Sequence, residues 1–341
     1  MTTESGLRRK VLVTGGSGFL AGRAIIDLLE RGYEVRTTVR DLAKEPRVRE
    51  NIAAGLGREP EIEFFQADLS SDEGWSEAVA GCAYVLHIAS PFPPGKPKDP
   101  QELIRPAVEG ATRVIGAALD AGVERVVMTS SVAAIRGGEN QENRPYIEED
   151  WTDVARVSAY PQSKTLAELA AWELVDSRGE REKLAVINPS AILGPVLPDD
   201  DSFSLEGIQR LLDGMPAVPR IGFSWVDVRD VSAAHVAAME KPEAGGGRYI
   251  VSGPFLWLLE VSEILRERVP EIAAKAPTRT APKPLVRLMA IFDSGARALI
   301  GDIGKRNDFD TTRAREVLGV EARPVEETIV ECAKSLNARA T

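Results

Sequence analysis

Tyr160-Pro161-Gln162-Ser163-Lys164 sets a phenol and an ammonium four residues apart, at the start of a helix-period segment running on through Leu166, Leu169, Trp172 and Leu174. That spacing puts both side chains on one helix face, a turn from each other. A cation so close favours the phenolate and lowers the tyrosine from about 10 toward the working range. Such a phenol can give a proton to a carbonyl oxygen while hydride arrives at the carbon. The same pattern also describes an exposed tyrosine beside a surface lysine, so a second feature has to support it. Thr129-Ser130-Ser131 closes an apolar, β-branched run. A hydroxyl there can hydrogen-bond a substrate oxygen, although a serine pair also serves turns and caps.

Upstream, Thr14-Gly15-Gly16-Ser17-Gly18-Phe19-Leu20-Ala21-Gly22 follows the first apolar run and opens a helix-like segment. Glycine lets the backbone turn tightly and approach a pyrophosphate, while the helix start offers unpaired N–H groups and the positive end of its dipole. Between a strand and a good helix this is a dinucleotide loop, with Gly15, Ser17, Gly18, Phe19 and Leu20 as candidate contacts. At the end of the second strand an acidic residue would take the ribose 2′-OH of NAD, and an arginine would accommodate the 2′-phosphate of NADP. The residue is Arg40, with Lys44 nearby. Two cations suit a phosphate carrying close to two charges, so the expected cofactor is NADP(H). The competing reading leaves Arg40 solvated and gives the ribose to Asp41. The order along the chain, with glycine loop first, then the serine run, then tyrosine and lysine, makes a chance match implausible.

These residues need a scaffold. Short apolar runs at Lys10–Gly15, Glu34–Arg40, Ile62–Asp68, Tyr84–Ser90, Arg125–Ser131 and Leu184–Ser190 alternate with amphipathic stretches such as Phe19–Arg31, which Gly32 caps. Each run is continuous in polarity, as expected of a strand buried on both faces. Arg248–Gly253 is a seventh candidate, after a helix-like Val231–Glu240. Strand, helix, strand, repeated, predicts an α/β fold: a doubly wound parallel Rossmann sheet of about seven strands. Pro195–Pro219, with its acidic run Asp199–Asp201, differs in composition, as does the segment 254–341, with a proline-rich patch Pro277–Pro284 and a terminal helix pattern Pro324–Leu336. The expected division is a cofactor domain of 7–190 and 224–253, and a smaller discontinuous substrate domain of 191–223 and 254–341 over the carboxyl ends of the strands.

Composition narrows the function. The 341 residues suffice for one large domain and a smaller one, and 43% hydrophobic with 28% charged is ordinary for a folded enzyme. A net charge of −10 disfavours a nucleic-acid surface. Cys82 and Cys332, with no C-x-x-C, allow neither a disulfide framework nor a zinc site and suit a reducing cytosol. His87 and His235 are the only histidines and lack an acidic cluster, so a metal site and a serine triad are both disfavoured. His87, inside a strand, reads as a hydrogen-bonded core residue. Met1 to Lys10 is polar, and no apolar run reaches the ~20 residues that span a bilayer. The expectation is a cytoplasmic protein, monomer or homodimer, with a small-molecule partner.

The motifs together resemble the extended short-chain dehydrogenase/reductase superfamily. The glycine loop has its Thr-Gly-x-x-Gly-x-x-Ala spacing, with Ala21 where a third glycine is usual. Leu86-His87-Ile88-Ala89-Ser90-Pro91-Phe92, Val127 to Ala134, Ile187-Asn188-Pro189-Ser190, Val226 to Val231 with His235, and Thr311-Thr312-Arg313-Ala314 are similar to the dihydroflavonol-reductase-like group. Phe19-Leu20-Ala21 and Ala89-Ser90-Pro91-Phe92 look most like microbial NADPH-dependent aldehyde and ketone reductases. The resemblance implies that Ser131, last of its run, orients the carbonyl, Tyr160 is the general acid, and Lys164 binds the ribose and lowers the phenol. It implies that Asp68 and Leu69 meet the adenine (Asp68 alone is equally a helix cap), that Ala89 and Ser90 lie along the cofactor, and that Pro189 and Ile192 lie near its nicotinamide. Phe92, Arg136 and Trp225 become candidate pocket residues. Plant flavonoid reductases carry asparagine where this chain has Arg136, which argues against a flavonoid substrate. Two other functions use this scaffold: nucleotide-sugar epimerases or dehydratases, and non-catalytic dinucleotide sensors, which commonly lose the tyrosine or the lysine.

Overall fold

The structure is a computed structural model that describes residues 9–91, 99–137, 144–200, 202–284, 286 and 300–340. Each of the seven runs forms a strand: β1 Lys10–Val13, β2 Glu34–Val39, β3 Ile62–Gln66, β4 Tyr84–His87, β5 Arg125–Thr129, β6 Leu184–Pro189 and, later in the chain, β9 Arg248–Val251. They make one sheet in the order β3-β2-β1-β4-β5-β6-β9, parallel throughout.

Alternation along each strand sends neighbours to opposite faces, and both faces are covered. Val11, Val13, Leu86, Val127 and Ile187 join one core, with Ile25 and Leu28 of α1 (Phe19–Glu30), Ile52 of α2 (Glu45–Leu56) and Val231 of α7 (Val228–Glu240). Leu12, Val85, Val126 and Val186 join the other, with Trp75 of α3 (Trp75–Val79), Ala111 and Val114 of α4 (Gln101–Asp120) and Ala167 and Ala171 of α5 (Ala159–Ser177). Double burial is what required continuous apolar runs rather than alternating ones.

A second sheet was not anticipated. β7 (Ala191–Leu193) pairs parallel with β8 (Gly222–Asp227), and β10 (Phe255–Trp257) pairs antiparallel with β8 on its other side. Around it lie α6 (Phe203–Asp213), α8 (Leu258–Arg268) and the final helix α9 (Val325–Ala340). Three-residue strands are too short to display a period, which is why β7 and β10 escape a reading by pattern. β8 starts at Gly222 because only glycine fits: a Cβ there would meet the Phe255 ring at 2.4 Å.

Strand order reverses between β1 and β4, and in open parallel sheets that switch point forms a crevice at the carboxyl ends. The glycine loop leaves β1 and the Ala89-Ser90 segment leaves β4, so both meet at the crevice.

Candidate active site

Glycine is demanded where the loop crosses the sheet edge. Gly15 has φ +73°, and a side chain on it would bring Cβ to 3.0 Å from Cβ of Ala89. A Cβ on Gly16 would lie 2.3 Å from Thr37 Oγ1. The amides of Gly15 and Gly16 donate to Oγ1 and the carbonyl of Thr38, each at 3.0 Å. Thr14 Oγ1 accepts from the Ala89 amide at 2.9 Å and lies 3.1 Å from His87 Nδ1, so one hydroxyl ties the loops after β1 and β4 together. Gly18 is the N-cap of α1 and has no side chain to occupy the first-turn amides, which stay available to an anion. Phe19 and Leu20 are buried beneath the turn and Ser17 is exposed on it.

At the end of β2, Arg40 and Lys44 are both exposed. Asp41, the alternative ribose ligand, is occupied: its carboxylate accepts from the Ala43 amide at 2.9 Å and caps the short turn Leu42–Lys44. Asp68 accepts from the amide and hydroxyl of Ser70 at 2.8 and 2.6 Å. Those bonds, with a smaller contribution from Arg40 across the gap, hold its carboxyl below the usual range. The Asp68 side chain is thus a turn cap, while Leu69 lines a pocket with His87, Ala89, Ser90, Pro91, Met128, Thr129 and Lys164. Burial, helped by the Lys164 charge, pushes His87 down to about 3, so the imidazole is uncharged at neutral pH.

Ser131 follows β5 in an extended conformation and begins the turn Val132–Ala134, with its Oγ accepting from the Ala133 amide at 3.1 Å. The Ser131 hydroxyl also faces the Tyr160 phenol and favours its ionised form. Although the residue is 38% exposed, desolvation around the hydroxyl raises that phenol above its ordinary value, while Ser131 and the Arg136 guanidinium pull the other way. The Arg136 guanidinium is thus one cation acting on Tyr160, while Lys164, to which the spacing pointed, lies one turn along the same helix. Lys164 is buried, and desolvation lowers it to about 8, partly offset by Glu168 one turn further along α5.

The other candidates are dispersed. Arg136 is half-buried and pairs with Asp302 at 3.3 Å. Pro189 ends β6, and Ile192 pairs with Val226 in the small sheet. Trp225 is fully packed in β8, edge-on to Phe223 with ring centroids 5.3 Å apart. Phe92 lies outside the described residues. No cluster of metal ligands occurs among the described residues. Among them, too, no helix is long and apolar enough to cross a membrane.

Sequence reasoning missed Glu168, Asn188 and Arg248, which form a buried polar cluster behind the serine run. The visible signal was a glutamate four residues after Lys164, on the face that carries the chemistry. Ser190 was quoted without a role, yet its buried hydroxyl has no partner among the described residues. Placed just past β6, it leaves an unpaired polar group at the carboxyl edge of the sheet. A dinucleotide fits these residues: an anion-binding helix start, a glycine approach and a buried ammonium.

A parallel doubly wound sheet with this loop, serine, tyrosine and lysine defines an extended short-chain dehydrogenase/reductase. Residues 11–252 match the NAD dependent epimerase/dehydratase family, and the chain belongs to it. Cinnamoyl-CoA reductase CAD2 of Medicago truncatula is 34% identical over 343 residues, spanning 98% of this chain and 97% of that protein. The structure resembles yeast methylglyoxal/isovaleraldehyde reductase Gre2 complexed with NADPH, at TM-score 0.79 and 28% identity over 97% of this chain and 99% of that one. It resembles Gre2 of Candida albicans, also an NADPH complex, at TM-score 0.79 and 26% identity over 98% and 100%. Within the family the chain falls in the dihydroflavonol-reductase-like group, close to these microbial reductases.

Proposed function

We propose that the protein reduces an aldehyde or ketone to an alcohol with NADPH. The observation that carries this reading is the juxtaposition of the Ser131 and Tyr160 hydroxyls at the carboxyl edge of the sheet, with Lys164 one turn along α5. Two hydroxyls held together at that edge can both address one carbonyl oxygen. Bound NADPH supplies the hydride. Ser131 orients the oxygen, and Tyr160, kept protonated by its surroundings, delivers the proton. The buried Lys164 ammonium is placed to donate to ribose hydroxyls. Arg40 and Lys44 take the 2′-phosphate, and the engagement of Asp41 by its own turn supports that choice over NAD. Gly15, Gly18, Phe19 and Leu20 hold the pyrophosphate, Leu69 the adenine, and Ala89, Ser90, Pro189 and Ile192 the length of the cofactor.

The segments 191–223 and 254–341 form the substrate-covering part in this reading, while 7–190 and 224–253 hold the dinucleotide. Arg136 sits beside the reacting hydroxyls at the substrate side. Cys82 and Cys332 are buried free thiols, consistent with a reducing cytoplasm. A screen of NADPH oxidation across aldehydes, diketones, ketoesters and thioesters, repeated with NADH, tests the proposal. Stoichiometric loss of NADPH with alcohol formation is expected. Product formation without net NADPH loss would instead indicate an epimerase or dehydratase.

A further inference from the structure

Behind the serine run lies a charged cluster that neither hydride transfer nor cofactor binding uses. Glu168 is completely buried on α5, on the face shared with Tyr160 and Lys164. Its Oε2 accepts from the Ser130 hydroxyl at 2.5 Å and from Asn188 Nδ2 at 2.9 Å. Its Oε1 accepts from Arg248 Nε on β9 and from Trp172 Nε1 at 3.4 Å. Asn188 Nδ2 donates a second time, to the Ser131 carbonyl, at 3.3 Å. One carboxylate thereby grips the residue before Ser131 directly and Ser131 itself through a single amide. Arg248 is anchored in turn by the carbonyls of Glu148 and Asp150 and lies over the Trp151 ring, 3.6 Å from its centroid.

Packing alone does not require this arrangement. A buried ion pair contributes little net stability compared with apolar residues of similar volume, so a cluster of this kind has its effect in geometry or in charge. Here the geometry ends at Ser131 and the charge ends at Lys164.

The geometry points to Glu168 as a positioning residue: through Ser130 and Asn188 it fixes the backbone that presents the Ser131 hydroxyl to Tyr160, and its carboxylate lies one turn from the buried Lys164 ammonium on the same face of α5. This rests on the reductase reading for its catalytic half only. The groups facing Lys164 are Tyr160 and Glu168 on its own helix and His87 on β4, and α4 meets this region with Ala107 and Ala111. Around Arg248, Glu149 and Asp150 both feel its charge. Glu168 is thus the acidic group facing Lys164 among these, and its loss leaves the ammonium uncompensated.

Glu168→Gln alone strands the Arg248 charge and risks misfolding, so the test pairs it with Arg248→Met, which removes both charges. Two quantities are read on the folded double variant: kcat and KM for a carbonyl substrate, and the titration midpoint of Lys164 by lysine NMR, assigned with Lys164→Met. Expected are a kcat loss of roughly tenfold or more with KM nearly unchanged, and a midpoint about one pH unit lower than in the parent protein. Glu168→Asp, which keeps the charge on a shorter arm, restores the midpoint. A double variant with the parent's kcat, or with the parent's Lys164 midpoint, overturns the inference. If the parent oxidises NADPH with no carbonyl at all, the reductase reading fails, while the titration still decides whether Glu168 holds the lysine charge.

Discussion

The hydroxyls of Ser131 and Tyr160 face each other across the gap between the end of β5 and the first turn of α5. Neither position is set by its neighbours in sequence alone. Ser131 is held by the turn it caps and by the amide of Asn188, and Tyr160 by a helix packed against α4 and the sheet. The pair brings two crossover units together at the edge where parallel sheets bind ligands.

Tyr160→Phe removes the proton donor and keeps the ring. Reduction should fall by about 10²- to 10⁴-fold. The Kd for NADPH, measured by fluorescence, should stay within about threefold, since the phenol contributes one neutral hydrogen bond at most.

Lys164 carries a pH dependence. Burial holds its folded value at about 8, below that of the unfolded chain, so the charged form is penalised in the folded state. That penalty is full below pH 8 and is relieved as pH rises through 8 toward the ordinary lysine range, above which this group no longer opposes folding. Function runs the other way, because NADPH affinity should decline as the pH rises past about 8 and the ammonium is lost. Lys164→Met should weaken binding and flatten that limb in a titration of Kd against pH.

Exposed Arg40 should set the cofactor preference. Arg40→Ala is expected to raise the KM for NADPH by about 10- to 100-fold, the worth of a charge-assisted hydrogen bond, and to leave the KM for NADH nearly unchanged. Equal losses with both cofactors would show that Arg40 does not meet the 2′-phosphate.

The two histidines supply an acid limb of stability rather than of catalysis. Burial pushes His87 down to about 3 and His235 to about 4, and His235 bonds Thr129 Oγ1 and the Val231 carbonyl, each at 2.7 Å. Folded values below the unfolded value favour folding at neutral pH, and that contribution is lost as pH falls through about 6.5 toward 4. Urea midpoints measured across this range should drop in the parent protein and drop less in His235→Gln. Catalysis should show no limb near pH 6.5.

Much of this was legible because doubly buried parallel strands announce themselves as unbroken apolar runs, and all seven fall where Lys10, Glu34, Ile62, Tyr84, Arg125, Leu184 and Arg248 begin them. Gly15 and Gly16 were legible because close approach admits no other residue. The small sheet was not, because β7 and β10 are set by their pairing with β8 rather than by any period of their own. The charge that Arg136 adds near the phenol was not either: it comes from a different element, and its place depends on how the turn after β5 packs on α5. Glu168 and Arg248 are 80 residues apart, a separation that no local pattern bridges.

The most direct test of the central claim is the stoichiometry of NADPH oxidised to alcohol formed, in parallel for the parent protein and Tyr160→Phe. One NADPH consumed per alcohol, with the variant reduced to background while still binding NADPH, is the expected result. An unchanged rate in Tyr160→Phe, or turnover with no net loss of NADPH, would contradict it.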